Sequence, residues 1–343
     1  MNRAAEHDHG LAALDAALTE ANLAPLSAYL HDPDVYEIRI NKFGQVVCVT
    51  SNERRLIVDE AITHDYLYAL TDYLLNLNGL PRTPVSYVTL PGGERGTFCW
   101  PPAVLEGTVL VAIRKHLPVS KSLRQLKTEG RFKKTKFRKQ SEQLALEPFE
   151  QQLLALCEAG DVEGFLSLAV KTKRNVAIAG PTGSGKTALT RSLMDEVPTG
   201  DRVMLLQDTH EIDDARLDEV GYLMYGAEAD GRMSPRDCLK LCMRLSPDRI
   251  FLAELRDDAA WDYLASANTG HPGGIFSTHA DSAASTPARI ATLVKASEIG
   301  RALDYEVIMK TITTTLDVVV YMENREVLEI LYDPVAKKKA MAF

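Results

Sequence analysis

The spacing of apolar and polar positions changes character twice along this 343-residue chain. From Leu11 to Leu30 it predicts a helical opening, and VYEIRINKFGQVVCVTS then alternates on either side of Lys42-Phe43-Gly44, as a strand, a turn and a strand would. In ITHDYLYALTDYLLNLNG the apolar residues return at helical spacing, at Ile62, Leu67, Leu70, Tyr73, Leu74 and Leu77, and Gly79 stops the run. GGERGTFCWPPAV and GTVLVAIRK predict two further strands. Residues 1–116 thus predict a small α+β domain without a catalytic signature of its own.

Residues 117–145 show no sustained apolar period and predict a linker. Beyond it, residues 146–343 carry continuous apolar runs at 175–180, 202–208, 249–255 and 273–278, separated by helical stretches. Strands of that kind predict an α/β domain whose parallel sheet is covered on both faces. The closing pair, LDVVVYMEN and REVLEILYD, alternates instead and predicts an antiparallel hairpin near the sheet edge.

Composition narrows the class. The chain is 45% hydrophobic and 25% charged, which excludes wholesale disorder. No apolar stretch is long enough to span a bilayer, and the acidic, histidine-containing N-terminus lacks the form of a signal peptide. Five cysteines at irregular spacing argue against a disulfide framework and for a reducing, cytoplasmic setting. Cys238 and Cys242, four apart on a predicted helix, read either as half of a metal site or as buried structural thiols.

Charge is concentrated. Between Lys121 and Lys139 stand nine basic residues (Lys121, Arg124, Lys127, Arg131, Lys133, Lys134, Lys136, Arg138 and Lys139) and one acid, Glu129. That segment is +8, and the remaining 30 basic against 46 acidic residues leave −16. The segment reads either as a solvated connector or as a contact for anionic lipid or a negative partner. The acidic remainder disfavours a strongly basic channel for nucleic acid, so direct nucleic-acid binding stays open.

One motif carries chemistry without ambiguity. Gly180-Pro181-Thr182-Gly183-Ser184-Gly185-Lys186-Thr187 matches G-x-x-x-x-G-K-[ST], with an apolar strand before it and ALTRSLMDEV, a helical sequence, after it. Glycines let successive N–H groups converge on phosphate oxygens, and the helix N-terminus adds partial positive charge. Lys186 is suited to the β- and γ-phosphates, and the Thr187 hydroxyl to Mg²⁺. The pattern predicts binding of a purine nucleoside triphosphate with Mg²⁺. Hydrolysis needs more, and three strand ends offer it: Asp208 with Glu211 in LLQDTHEI, Glu254 in PDRIFLAELRDDAAW, and Thr278 with His279 in GGIFSTHADSA. In open α/β sheets such carboxyl ends line the ligand site.

The order of these boxes resembles that of the secretion and pilus traffic ATPases over roughly residues 150–330. DVYEIRIN, GERGTFCWPPA and VAIRK resemble the type IV secretion branch, the VirB-eleven-like ATPases. The resemblance implies a RecA-like P-loop NTPase domain after the smaller N-terminal domain. It further implies homohexameric rings, ATP hydrolysis, and a role in conjugation, pilus biogenesis or effector transport beside inner-membrane subunits. By the same resemblance, Lys186, Glu211, Glu254 and His279 are catalytic, and Thr187 with Glu254 hold Mg²⁺. Glu211 would polarise the attacking water, and His279 would couple γ-phosphate state to movement. Arg95 and Arg114 look like N-terminal-domain arginines that reach the γ-phosphate, a surface salt bridge being the alternative.

Two residues depart from the pattern. Gln207 stands where many relatives have an acid, and Ala253 where glycine or an acid is more usual, so the division of labour between Glu211 and Glu254 is open. The four-cysteine zinc insert of type II assembly ATPases is absent. Competing readings are a type IV pilus or type II secretion motor, and a nucleotide-gated docking scaffold with negligible hydrolysis.

Overall fold

The computed structural model describes residues 2–115, 121–137, 144–214 and 216–342, and the chain divides into two compact units, Met1–Lys121 and Ser122–Phe343. In the first unit the elements run α1 (Asn2–His31), β1 (Val35–Ile40), β2 (Gln45–Thr50), β3 (Arg54–Val58), α2 (His64–Asn78), β4 (Val85–Thr89), β5 (Arg95–Cys99) and β6 (Leu110–Arg114). The strands form one antiparallel sheet in the order β3-β2-β1-β6-β5-β4. Strands β3 and β4 escaped the hydropathy reading because each is short, and β3 alternates exposed with half-buried residues. The Thr63 hydroxyl caps α2 by accepting from the Tyr66 amide, and Gly79 closes it at φ 64°. Leu67, Leu70, Leu74 and Leu75 of α2 pack with Leu26 of α1 onto Ile38, Ile40, Val111 and Ile113 of the sheet. Leu77, expected on the same stripe, is exposed at its flank.

The second unit begins with a helix where the linker was expected. Ser122 and Gln125 form a reciprocal capping box that starts α3 (Leu123–Thr128), none of whose residues is buried. Stretches 116–120 and 138–143, with Arg138 and Lys139, lie outside the described residues. There follow α4 (Pro148–Ala159), α5 (Val162–Lys171), β7 (Val176–Ala179), α6 (Lys186–Asp195), β8 (Val203–Gln207), β9 (Val220–Met224), α7 (Pro235–Leu245), β10 (Arg249–Leu252), α8 (Asp257–Asn268) and β11 (Ile275–Thr278). The chain continues through α9 (Thr286–Ala296), α10 (Glu298–Arg301), α11 (Tyr305–Thr315), β12 (Val318–Glu323), β13 (Glu326–Tyr332) and α12 (Pro334–Met341).

Seven strands lie in the order β13-β12-β7-β11-β10-β8-β9, all neighbours parallel except the β12–β13 hairpin at the edge. Every residue of β7 through β11 is buried, which is why these strands read as unbroken apolar runs. Strand β9 was not anticipated. This RecA-like arrangement joins β7 to β8 across β11 and β10, and that crossover opens the switch point where such sheets bind ligands.

The two ends of the sheet differ in chemistry. At the amino ends of β8 and β10, Arg202 and Arg249 are fully buried; Arg249 pairs with Asp201 at 2.8 Å and donates to the Val170 carbonyl. Such pairs hold a register, because removing one partner strands a buried charge at a cost of about 3–5 kcal/mol. The carboxyl ends carry acids instead.

Candidate functional site

Strand β7 delivers the chain into the phosphate loop. A Cβ at Gly180 would fall 2.1 Å from the Met322 carbonyl oxygen of β12, so only glycine fits there. Gly185, at φ 94°, turns the chain into α6. Lys186 donates from Nζ to the carbonyls of Gly180 and Pro181, both at 2.8 Å. Burial pushes its ammonium below the usual lysine range, while the nearby Glu254 carboxylate pulls the other way. The Ser184 hydroxyl inside the loop is buried without a hydrogen-bond partner among the described residues. Thr187, next on α6, lines the same cleft as Lys186.

Around that cleft, of about 510 Å³, stand Thr182, Lys186, Thr187, Asp208, Glu211, Glu254 and His279. The sheet brings together the three strand-end groups that the sequence singled out. Glu254, after β10, places Oε1 3.4 Å from His279 Nε2, after β11. His279 Nδ1 lies 3.2 Å from the Gly180 carbonyl, so the histidine joins the acid to the phosphate loop. Thr278 Oγ1 is buried without a hydrogen-bond partner among the described residues.

Arg256 completes the chain of contacts. It was missed in the sequence, and its only signal was a cation two residues beyond the strand-end acid. Its Nη2 donates to Asp208 at 2.9 Å and to Glu254 at 3.1 Å. Burial works against its charge, but the hydrogen bond and charge of Glu254, with Tyr225 and Asp208 adding to it, hold the guanidinium above its ordinary range.

Gln207 takes a role its sequence position did not suggest. Fully buried, it accepts at Oε1 from the Glu211 and Ile212 amides, both at 3.1 Å, and donates from Nε2 to the Ile212 carbonyl. Nε2 also lies 3.0 Å from His210 Nδ1. An amide supplies donor and acceptor at once, which a carboxylate cannot, so the departure from an acid here pins the loop that carries Glu211. The Glu211 backbone carbonyl accepts from Arg191 of α6, and its exposed carboxylate has no hydrogen bond or ion pair among the described residues.

Arg95 and Arg114 lie in the first unit, opposite one another on β5 and β6, both exposed. Arg114 also bonds Glu37 through Nε at 3.2 Å. Cys238 and Cys242 are buried on α7, where burial pushes the Cys238 thiol up to about 12. Among the described residues no group of three or more His, Cys, Asp or Glu side chains could cage a metal.

Residues 139–328 match the family described as Type II/IV secretion system protein. The type IV secretion system protein VirB11 of Brucella suis is 35% identical over 337 residues, covering 94% of this chain and 92% of its own. Protein VirB11 of Agrobacterium tumefaciens is 31% identical over 318 residues, covering 90% and 92%. The crystal structure of the VirB11 ATPase from the Brucella suis type IV secretion system, in complex with sulphate, matches with a TM-score of 0.88 at 34% identity, covering 97% of this chain and 99% of that one. The phosphate loop, the converging strand ends and these likenesses together place the chain in the type II/IV secretion system protein family, in its VirB11 branch of secretion ATPases.

Proposed function

We propose that the chain is a homohexameric ATPase that hydrolyses ATP to ADP and phosphate to power type IV secretion, in conjugative transfer and pilus biogenesis. The observation that carries this reading is the convergence of Lys186, Asp208, Glu254 and His279 on one cleft at the carboxyl edge of a parallel sheet. A docking scaffold would need the phosphate loop but not the chain of acids, arginine and histidine beside it. The VirB11 relatives favour this branch over a pilus or type II motor.

The residues fit a magnesium nucleotide. The loop is a cradle that a Cβ at Gly180 would block, and the buried Ser184 hydroxyl inside it lacks a partner among the described residues. Mg²⁺ in such sites is held by substrate phosphates, waters and one or two protein oxygens, so no dedicated cage is required. Thr187 and Glu254 would hold it, and when bound it would neutralise charge on the phosphoryl oxygens.

An incoming triphosphate gives the Lys186 ammonium a stronger partner than two loop carbonyls and favours the charge that burial opposes. Glu211, whose carboxylate has no partner among the described residues to surrender, orients the attacking water and accepts its proton. Glu254 is held in place by Arg256 and His279, and His279 senses the γ-phosphate through its contact with the Gly180 carbonyl. The proposed set of phosphate ligands includes Arg95 and Arg114. Phosphate release by the purified chain, compared between wild type and Lys186→Ala, tests the reading.

The basic segment supports a second element of the proposal, a peripheral contact with an anionic inner membrane beside the secretion subunits. Leu123, Phe132 and Phe137 are exposed between its lysines and arginines, with Phe137 98% exposed. Apolar side chains interleaved with cations suit a lipid interface better than a solvated connector. Among the described residues no helix is long and apolar enough to cross a membrane.

A further inference from the structure

The turn between β12 and β13 has a feature that the proposed hydrolysis leaves unused. Asn324 and Arg325 both stand in the left-handed region, at φ 52° and 67°. A two-residue hairpin turn asks for that conformation at both positions, and Asn-Gly is the usual solution because glycine has no Cβ to clash. Here an arginine takes the second place. Its side chain is exposed and makes no hydrogen bond or ion pair with any described residue. Backbone strain beneath an otherwise unemployed cation points to a role for that cation.

The turn is fixed against the phosphate loop. Strand β12 runs parallel to β7 as its neighbour, and the Met322 carbonyl abuts Gly180. A Cβ built on Gly185 would lie 3.6 Å from Arg325 Cα, an ordinary contact. Between the loop, α6 and this hairpin opens a second cleft of about 710 Å³, walled on the hairpin side by Met322, Arg325 and Val327. It shares Gly183, Lys186, Thr187 and Glu211 with the acid-lined cleft. One extended ligand held at Lys186 would therefore occupy both.

Resting on the reading of the site as an ATP site, we propose that Arg325, with Met322 and Val327, forms the wall that holds the purine base. Carboxylates and His279 crowd the first cleft, the end suited to the γ-phosphate and its metal. The uncharged end of the nucleotide then leaves toward the hairpin, where two apolar side chains and a planar cation await it. A guanidinium stacks on an aromatic ring because it is flat and weakly hydrated, and a lysine ammonium is neither.

Calorimetric titration of the full chain with ATP, and separately with inorganic tripolyphosphate, tests this in wild type, Arg325→Gly and Arg325→Lys. Both variants are expected to weaken ATP about fivefold and to leave tripolyphosphate affinity unchanged. Arg325→Gly should also raise the melting temperature, since the turn strain is relieved, which separates lost binding from lost folding. Unchanged ATP affinity in Arg325→Gly, full affinity in Arg325→Lys, or equal loss of both ligands would each overturn the assignment. Wild-type protein binding neither ligand would overturn the reading of the site itself and this inference with it, a failure visible without any variant.

Discussion

Glu254 and His279 face one another at 3.4 Å across the carboxyl ends of adjacent parallel strands, β10 and β11. Each has a second tie: Glu254 to Arg256 at 3.1 Å, and His279 to the Gly180 carbonyl at 3.2 Å. The phosphate loop, the strand-end acid and Asp208 are thereby linked through four side chains. Among the described residues Glu211 stands at the same cleft without such ties, a difference that supports the proposal of different work for the two glutamates.

Substituting each glutamate separates their roles. Glu211→Gln removes the proposed proton acceptor and should lower kcat about a hundredfold with ATP binding and Mg²⁺ dependence retained. Glu254→Gln loses its charge pairing with Arg256 and alters its contact with His279, and should both slow turnover and raise the Mg²⁺ concentration for half-maximal rate. Phosphate release across a Mg²⁺ series measures both. Wild-type turnover in Glu211→Gln would remove it from the catalytic set.

Gln207→Glu tests the amide that pins the acidic box. The carboxylate keeps the acceptor for the Glu211 and Ile212 amides but leaves the Ile212 carbonyl without its donor. Loss of one buried partner should cost about 1–3 kcal/mol. Urea unfolding should show that loss, and kcat should fall because Glu211 moves with its loop. A variant as stable and as active as wild type would mean the amide is interchangeable with an acid.

Much of this arrangement was legible from the chain. Strands β7, β8, β10 and β11 announced themselves because burial on both faces makes them continuously apolar, and the phosphate loop has a rigid residue code. Strands β3 and β4 were not visible because five-residue segments with partly exposed faces leave little periodic signal. The work of Arg256 and Gln207 was hidden for another reason. A fork between Asp208 and Glu254, or an amide bonding a loop five residues on, depends on where strands end in space rather than on spacing along the chain.

Glu196, at the C-terminal end of α6, gives the stability of this region a pH dependence. Hydrogen bonds from Lys171 and Ser167 of α5 hold its carboxyl below the usual range. A carboxyl lowered on folding stabilises the protein above its unfolded pKa and ceases to do so as pH falls through the folded value. Glu196→Gln should therefore melt below wild type near neutrality, with the gap closing toward acid. Thermal midpoints of both proteins from neutral to acid pH check it, and a gap that widens toward acid would contradict the pairing.

The basic segment should bind lipid through both charge and apolar contact. Flotation with anionic vesicles should recover the protein at low salt and lose it as ions screen the attraction. Phe137→Ala should weaken recovery without changing phosphate release. Binding that ignores salt, or that Phe137→Ala leaves untouched, would return the segment to a solvated connector.

Steady-state phosphate release with Mg²⁺ and ATP measures directly whether Lys186 serves a hydrolytic site. Wild type should turn over, and Lys186→Ala, folded to the same melting temperature, should fall by about a hundredfold or more. Equal phosphate release from the two proteins, or none from the wild type, would contradict it.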